Sequence, residues 1–149
     1  MNLDHLVSAA LDEDVGPGDL TTMATVGPDL SGVAQIIAKQ RLTLCGHDVA
    51  ARVFVEVGRR LGDVVLYVPL ASDGDRVADR SVVARVDGSL RAILIGERVA
   101  LNWLMKLSGI ATHTASFVAA AGNSQFRIVD TRKTTPLHRA LEKHAVRCG

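Results

Sequence analysis

The 149 residues fall in the range of one ordinary domain, and 48% apolar with 22% charged residues is the composition of a globular chain able to bury a core. Seventeen Lys and Arg stand against 16 Asp and Glu, a formal net charge of +1, so the overall balance argues against a nucleic-acid-binding or membrane-surface protein. The local balance is different: residues 1–30 carry six acids and no Lys or Arg, whereas residues 132–147 carry five Lys or Arg and one acid, Glu142.

In chain order, Leu3, Leu6, Val7, Ala10 and Leu11 recur at helical spacing and predict an amphipathic helix over 2–14, closed by Gly16-Pro17-Gly18. Asp19, Thr21 and Thr22 read as turn and capping groups. A strand is predicted over 32–40. A helix follows over 47–61 on the spacing of Val49, Ala50, Val53, Phe54, Val57 and Leu61, stopped by Gly62-Asp63. Short strands are predicted at 64–68 and 81–86, bracketed by the turn signals Asp73-Gly74-Asp75 and Asp87-Gly88. Residues 90–107 read as a long helix punctuated by Gly109, and residues 114–121 as a further one. After a Gly122-Asn123 turn, Phe126-Arg127-Ile128-Val129 predicts a buried strand over 126–130, and residues 137–147 begin another helix. The order is that of an α+β module.

The N-terminus, Met1-Asn2-Leu3-Asp4-His5, has neither the basic start nor the apolar core of a signal peptide. The most apolar helical stretch is interrupted by Arg91, Glu97, Arg98 and Lys106, so no membrane span is expected. Cys45 and Cys148 are far apart and show no metal-ligand spacing, so they read as two reduced cysteines and no metal site is expected; this favours a cytoplasmic setting.

Chemistry concentrates in Asp130-Thr131-Arg132-Lys133-Thr134-Thr135-Pro136, hydroxyls and cations at the end of the predicted strand, where α/β folds place their sites. A forked guanidinium grips a carboxylate with two hydrogen bonds and a lysine adds a movable point charge, which suits a doubly anionic ligand. The plain alternative for Arg132 and Lys133 is a solvated pair. Arg98, with Leu94 four residues before and Leu101 three after, is either a snorkelling side chain or half of an ion pair on residue spacing alone. His113, His138 and His144 have no partner visible in the sequence and receive no role.

The segment from Asp130 to Pro136, followed by Arg139-Ala140-Leu141-Glu142-Lys143 and Ala145-Val146-Arg147, resembles the quinolinate phosphoribosyltransferases, the carboxylating nicotinate-nucleotide pyrophosphorylases. Two further stretches resemble that family's signatures: Glu13-Asp14-Val15-Gly16-Pro17-Gly18-Asp19-Leu20-Thr21-Thr22, and Glu97-Arg98-Val99-Ala100-Leu101-Asn102 leading into Leu107-Ser108-Gly109-Ile110-Ala111-Thr112. The likeness departs at 137 and 138, Leu-His where the family usually has Gly-Leu, and at His144, where a tyrosine is common.

The resemblance implies an N-terminal sandwich-like domain over 1–110 and, over 111–149, the first strand and helix of an incomplete α/β barrel, since a complete barrel needs on the order of 200 residues or more. It implies transfer of a phosphoribosyl group from phosphoribosyl pyrophosphate to the ring nitrogen of quinolinate, with loss of pyrophosphate and carbon dioxide, giving nicotinate mononucleotide. Thr131, Arg132 and Lys133 fall on quinolinate-binding positions. Arg98 falls on one that reaches into the neighbouring subunit's site, which implies a homodimer. Mg2+ would accompany phosphoribosyl pyrophosphate on ligands outside these residues, because the family continues past Cys148-Gly149. The chain is therefore expected to be an incomplete portion, inactive by itself. The alternatives are a non-catalytic dimerisation or quinolinate-binding module, and a molybdenum-transport-associated relative of the same fold family, the latter disfavoured by the intact Arg132-Lys133 pair.

Overall fold

The computed structural model describes residues 2–122, 125 and 127–149. Helix α1 (Leu3–Val15) starts where the Asn2 side chain accepts the Asp4 N–H and stops at Gly16. Its buried residues are Leu6, Val7 and Leu11, one face of the predicted amphipathic helix. A short helix not foreseen from the spacing, α2 (Leu20–Thr25), follows the Gly-Pro-Gly loop. Asp19 does the capping expected of it: one carboxylate oxygen accepts the Thr22 N–H at 2.9 Å and the other the Thr22 hydroxyl at 2.7 Å.

The sheet has three antiparallel strands in the order β1-β5-β3: β1 (Ser31–Ile37), β5 (Val82–Ser89) and β3 (Val65–Pro69). Ala34, Val86 and Tyr67 form one row across it and pack into the core, while Val33 and Leu66, both opposite Asp87, belong to the solvent face. At Gly88 the φ is +141°, and a Cβ would stand 2.4 Å from the Val64 carbonyl oxygen, so the β3–β5 crossing accepts only glycine there. Two further short strands, β2 (Leu42–Thr43) and β4 (Arg76–Val77), pair with each other.

Two helices cover the inner face of the sheet. Helix α3 (His47–Leu61) buries Val49, Ala50, Val53, Phe54 and Val57, as the spacing predicts. Helix α4 (Leu90–Ala121) is 32 residues long, or about 48 Å at 1.5 Å per residue. Phe54 of α3 lies against Gly96 of α4, where an added Cβ would meet the ring at 3.1 Å. The absence of a side chain at Gly96 is what lets the two helices approach. Two helices were predicted in place of α4, divided at Gly109. In the structure Gly109 sits exposed inside the continuous helix, because the stripe Leu104, Leu107, Ser108, Ala111 and Thr114 stays buried on both sides of it. A mid-helix glycine costs roughly 1 kcal/mol relative to alanine, less than exposing that stripe would.

Residues 127–130 correct a second expectation. Phe126 lies outside the described residues, and Arg127–Asp130 form no strand. Nor are they buried: Ile128 is 41% and Val129 75% exposed. β-branched residues become a strand only where a neighbouring strand supplies hydrogen bonds and cross-strand packing, and none of the described strands pairs with this segment. The chain then enters α5 (Arg139–Cys148), which packs on α4 with Ala145 fully buried. None of the described helices is long and apolar enough to cross a membrane.

Phe54 joins the two principal helices to the sheet, stacking on Tyr67 as well as filling the space over Gly96. Phe54→Ala is expected to destabilise the fold by about 3–5 kcal/mol, measured as a shift of the urea unfolding midpoint with unchanged slope.

Candidate anion-binding loop

The loop over 130–138 is held in place by polar contacts to α4 and α5. Lys143 of α5 pairs with Asp130 at the start of the loop. Glu142 of α5 accepts the Thr135 N–H at 3.2 Å, and its other oxygen lies 3.2 Å from Lys106 of α4. The same lysine donates to the Thr135 hydroxyl at 2.9 Å. Burial alone would raise the Glu142 pKa, but the hydrogen bonds from Thr135 and Lys106 and the charge of that lysine outweigh it and keep the carboxyl below its ordinary range. The loop thus hangs on an anionic Glu142. Lys106, Glu142 and Lys143 were not singled out as positioning groups from the sequence; the available signal was that Glu142 is the lone acid among the C-terminal cations.

Within the loop, the Thr131 hydroxyl accepts the Lys133 N–H at 3.0 Å, which directs Thr131 inward on its own backbone. Arg139 donates to the Arg132 carbonyl and the Thr134 hydroxyl, both at 3.4 Å. Arg132, Lys133 and Arg139 are exposed and have no carboxylate partner among the described residues. The two acids nearby, Asp130 and Glu142, are already taken by Lys143 and Lys106. The result is three exposed cations within eight residues, on a backbone fixed from two helices. Charge-assisted bonds to a planar carboxylate or phosphate are the natural use of such a set.

Arg98 is elsewhere. It lies eight residues before Lys106 on α4, about 12 Å along the axis, and among the described residues it forms its ion pair with Asp14 and no hydrogen bond or ion pair with Thr131, Arg132 or Lys133. Its guanidinium is 62% exposed, with Nε 3.2 Å from the carboxylate of Asp14 at the end of α1. The geometry is that of an ion pair without a well-aligned hydrogen bond, since the same Asp14 oxygen has no hydrogen-bond partner. The ion-pair alternative therefore describes what Arg98 does within one chain. Most of the guanidinium remains open to solvent.

Of the three histidines, His138 packs edge-on against Trp103 with ring centroids 4.6 Å apart, and His113 packs likewise against Phe117. Burial, reinforced by the Lys106 charge, holds the His138 pKa below the usual imidazole value. Leu137, just before it, has a φ of +70°.

The fold and the loop together define a class, an α+β protein with an exposed cationic loop that has no carboxylate partner among the described residues. Comparison with known proteins narrows that class. The model of the quinolinate phosphoribosyl transferase N-terminal domain matches residues 19–108, and that of the C-terminal domain matches residues 110–149. A probable carboxylating nicotinate-nucleotide pyrophosphorylase of Synechocystis is 42% identical over 99% of this chain and 48% of its own length, and one of Bacillus subtilis is 40% identical over 100% and 50%. Among solved structures, NadC from Streptococcus pyogenes superposes with a TM-score of 0.92 at 40% identity, covering 99% of this chain and 51% of that one. The nicotinate-nucleotide pyrophosphorylase from Francisella tularensis gives 0.90 at 33% identity, covering 99% and 50%. The chain belongs to the quinolinate phosphoribosyl transferase family, and it spans about half the length of the curated relatives it matches.

The positive φ at Leu137 gives the departure from the family pattern a physical meaning. Glycine enters the left-handed region freely, whereas a residue with a Cβ costs roughly 1–2 kcal/mol there. Leu137→Gly is expected to relieve that strain, partly offset by the added freedom of the unfolded chain. A net stabilisation of about 0.5–1 kcal/mol should appear in thermal or urea unfolding of the purified chain.

Proposed function

We propose that this chain carries the quinolinate-binding part of a carboxylating nicotinate-nucleotide pyrophosphorylase, with residues 1–110 as one unit and 111–149 as the start of the next. The observation that carries the reading is the exposed trio Arg132, Lys133 and Arg139, left without carboxylate partners by the engagement of Asp130 and Glu142. Two carboxylates on a pyridine ring offer a guanidinium and an ammonium group one anion each. Holding both fixes where the ring nitrogen points, which is what an attack on the anomeric carbon of phosphoribosyl pyrophosphate requires. Fixed positive charge then stabilises the carbanion that forms as carbon dioxide leaves.

The described residues do not fit the Mg2+ that would accompany phosphoribosyl pyrophosphate. A hard divalent cation wants carboxylates, and both acids beside the loop are already paired with lysines. No step is assigned to the metal, and the chain alone is expected to bind quinolinate without turning it over.

Arg98 enters the same reading through a second copy. Among the described residues it forms no hydrogen bond or ion pair with its own chain's cation loop, yet most of its guanidinium is free to reach outward past Asp14. A homodimer in which Arg98 of one subunit completes the site of the other is consistent with both facts. A cytoplasmic setting belongs to the same proposal and is supported by the two free thiols.

Calorimetric titration with quinolinate is expected to give saturable binding, with Arg132→Ala and Lys133→Ala each weakening it by about 10- to 100-fold, the worth of a charge-assisted hydrogen bond. Arg98→Ala should weaken it only in the dimeric fraction separated by size exclusion. Absence of quinolinate binding by the parent chain would sink the reading. Nicotinate mononucleotide formed from quinolinate, phosphoribosyl pyrophosphate and Mg2+ above a boiled control would show that the catalytic set is already complete.

A further inference from the structure

Where the C-terminal half of α5 meets the turn at Asp73 and the residues just before α3, four potential ligand atoms converge from three separate segments. Cys45, fully buried just before α3, points its sulfur at Oδ2 of Asp73, 3.8 Å away. His144 of α5 places Nε2 2.9 Å from the same oxygen, and Cys148, one helical turn on, has its sulfur 3.6 Å from that nitrogen. All four atoms lie within 4.8 Å of one another. Around a metal with bonds of about 2.0–2.3 Å to nitrogen, oxygen and sulfur, tetrahedral ligand atoms stand roughly 3.3–3.8 Å apart. The cluster is already close to that size.

The donors are also oriented. Asp73 spends its other oxygen, Oδ1, on the N–H groups of Gly46 and His47 at 3.0 and 3.1 Å, which aims Oδ2 inward. The backbone of Cys45 is fixed by Ser108 of α4, whose hydroxyl accepts the Cys45 N–H at 3.0 Å and donates to its carbonyl at 3.1 Å. Supporting hydrogen bonds of this kind are what hold ligands ready around a metal. From sequence, Asp73 read only as part of a turn, and the spacing of His144 and Cys148 became informative only with Cys45 and Asp73 beside it.

We propose that Cys45, Asp73, His144 and Cys148 form a tetrahedral site for a borderline-soft divalent metal, Zn2+ in the first instance. Two sulfurs and an imidazole select such an ion over Mg2+ or Ca2+. All four positions are taken by protein groups, so the site is structural and staples α5 to the turn at Asp73 and the start of α3. This inference is independent of the quinolinate reading, since none of the four residues belongs to the cation loop.

Co2+ added to the reduced, metal-stripped chain tests the site directly. One cobalt per chain is expected, with the intense visible bands of a tetrahedral centre and a near-ultraviolet thiolate-to-cobalt charge-transfer band, both abolished by one equivalent of Zn2+. Cys148→Ala and His144→Ala, both at partly exposed positions, should each weaken binding by at least about tenfold, the smallest loss that even an outer partner gives, while far-ultraviolet circular dichroism stays that of the parent. No charge-transfer band, or one that persists in Cys148→Ala, would overturn the proposal. So would a purified chain whose two thiols are joined in a disulfide that reforms in preference to metal uptake.

Discussion

Everything else in the structure depends on α4 remaining a single helix. Its buried stripe runs from Ala92 to Thr114, so one rigid element meets α3, the sheet and α5 in turn. Besides this apolar stripe it presents Ser108 and Thr112, whose hydroxyls accept the N–H groups of Cys45 and Thr43 at 3.0 and 2.8 Å. The strand end entering α3 is buried and would otherwise leave those backbone groups unpaired, at a cost of the order of 1–3 kcal/mol each. An all-aliphatic α4 would pack α3 equally well but could not hold this corner.

The cation loop is built on that element indirectly. Lys106 of α4 pairs with Glu142 of α5, and Thr135 is bound by both. The charges that hold the loop cancel among themselves, whereas the charges the loop displays do not. This separation of holding pairs from displayed cations is a matter of how the helices pack, and residue order alone cannot reveal it.

The parts legible in the sequence share one property: their signal is local. Helix α3 was readable to the residue because Val49, Val53, Phe54 and Val57 repeat with the helical period and Gly62 ends it. Strand β5 was readable at its start, but Asp87-Gly88, taken for the turn that ends it, lies inside the strand, which runs on to Ser89 because β1 and β3 pair with both residues. Gly109 was misread because a glycine's local cost was weighed without the stripe on either side of it. Over residues 127–130 the predicted strand was a misreading because a strand is a property of a pair, and Ile128 and Val129 say nothing about whether a partner is present. At the site, residue identity pointed to Arg132 and Lys133, while their lack of partners depends on where Lys106 and Lys143 fall, a matter of packing between helices. The Cys45–Asp73–His144–Cys148 cluster lay furthest from view, since its members are spread over 104 positions, counting both ends.

Part of the attachment of α5 is ionic, beside the packing of Ala145, Leu141 and Cys148 on the apolar core. Only Ala145 of that helix is fully buried, and the loop before it is secured through Lys106–Glu142 and Lys143–Asp130, whose side chains retain contact with water. Mobile counter-ions weaken such pairs within a Debye length of about 8 Å at physiological ionic strength, while leaving the packing of α3 on α4 untouched. Salt therefore acts on two separate sets of residues, shielding the cations the loop displays and slackening the pairs that hold it in place. The ionic strength in which this chain is handled thus sets how firmly the loop and α5 are held, while the apolar core stays indifferent to it.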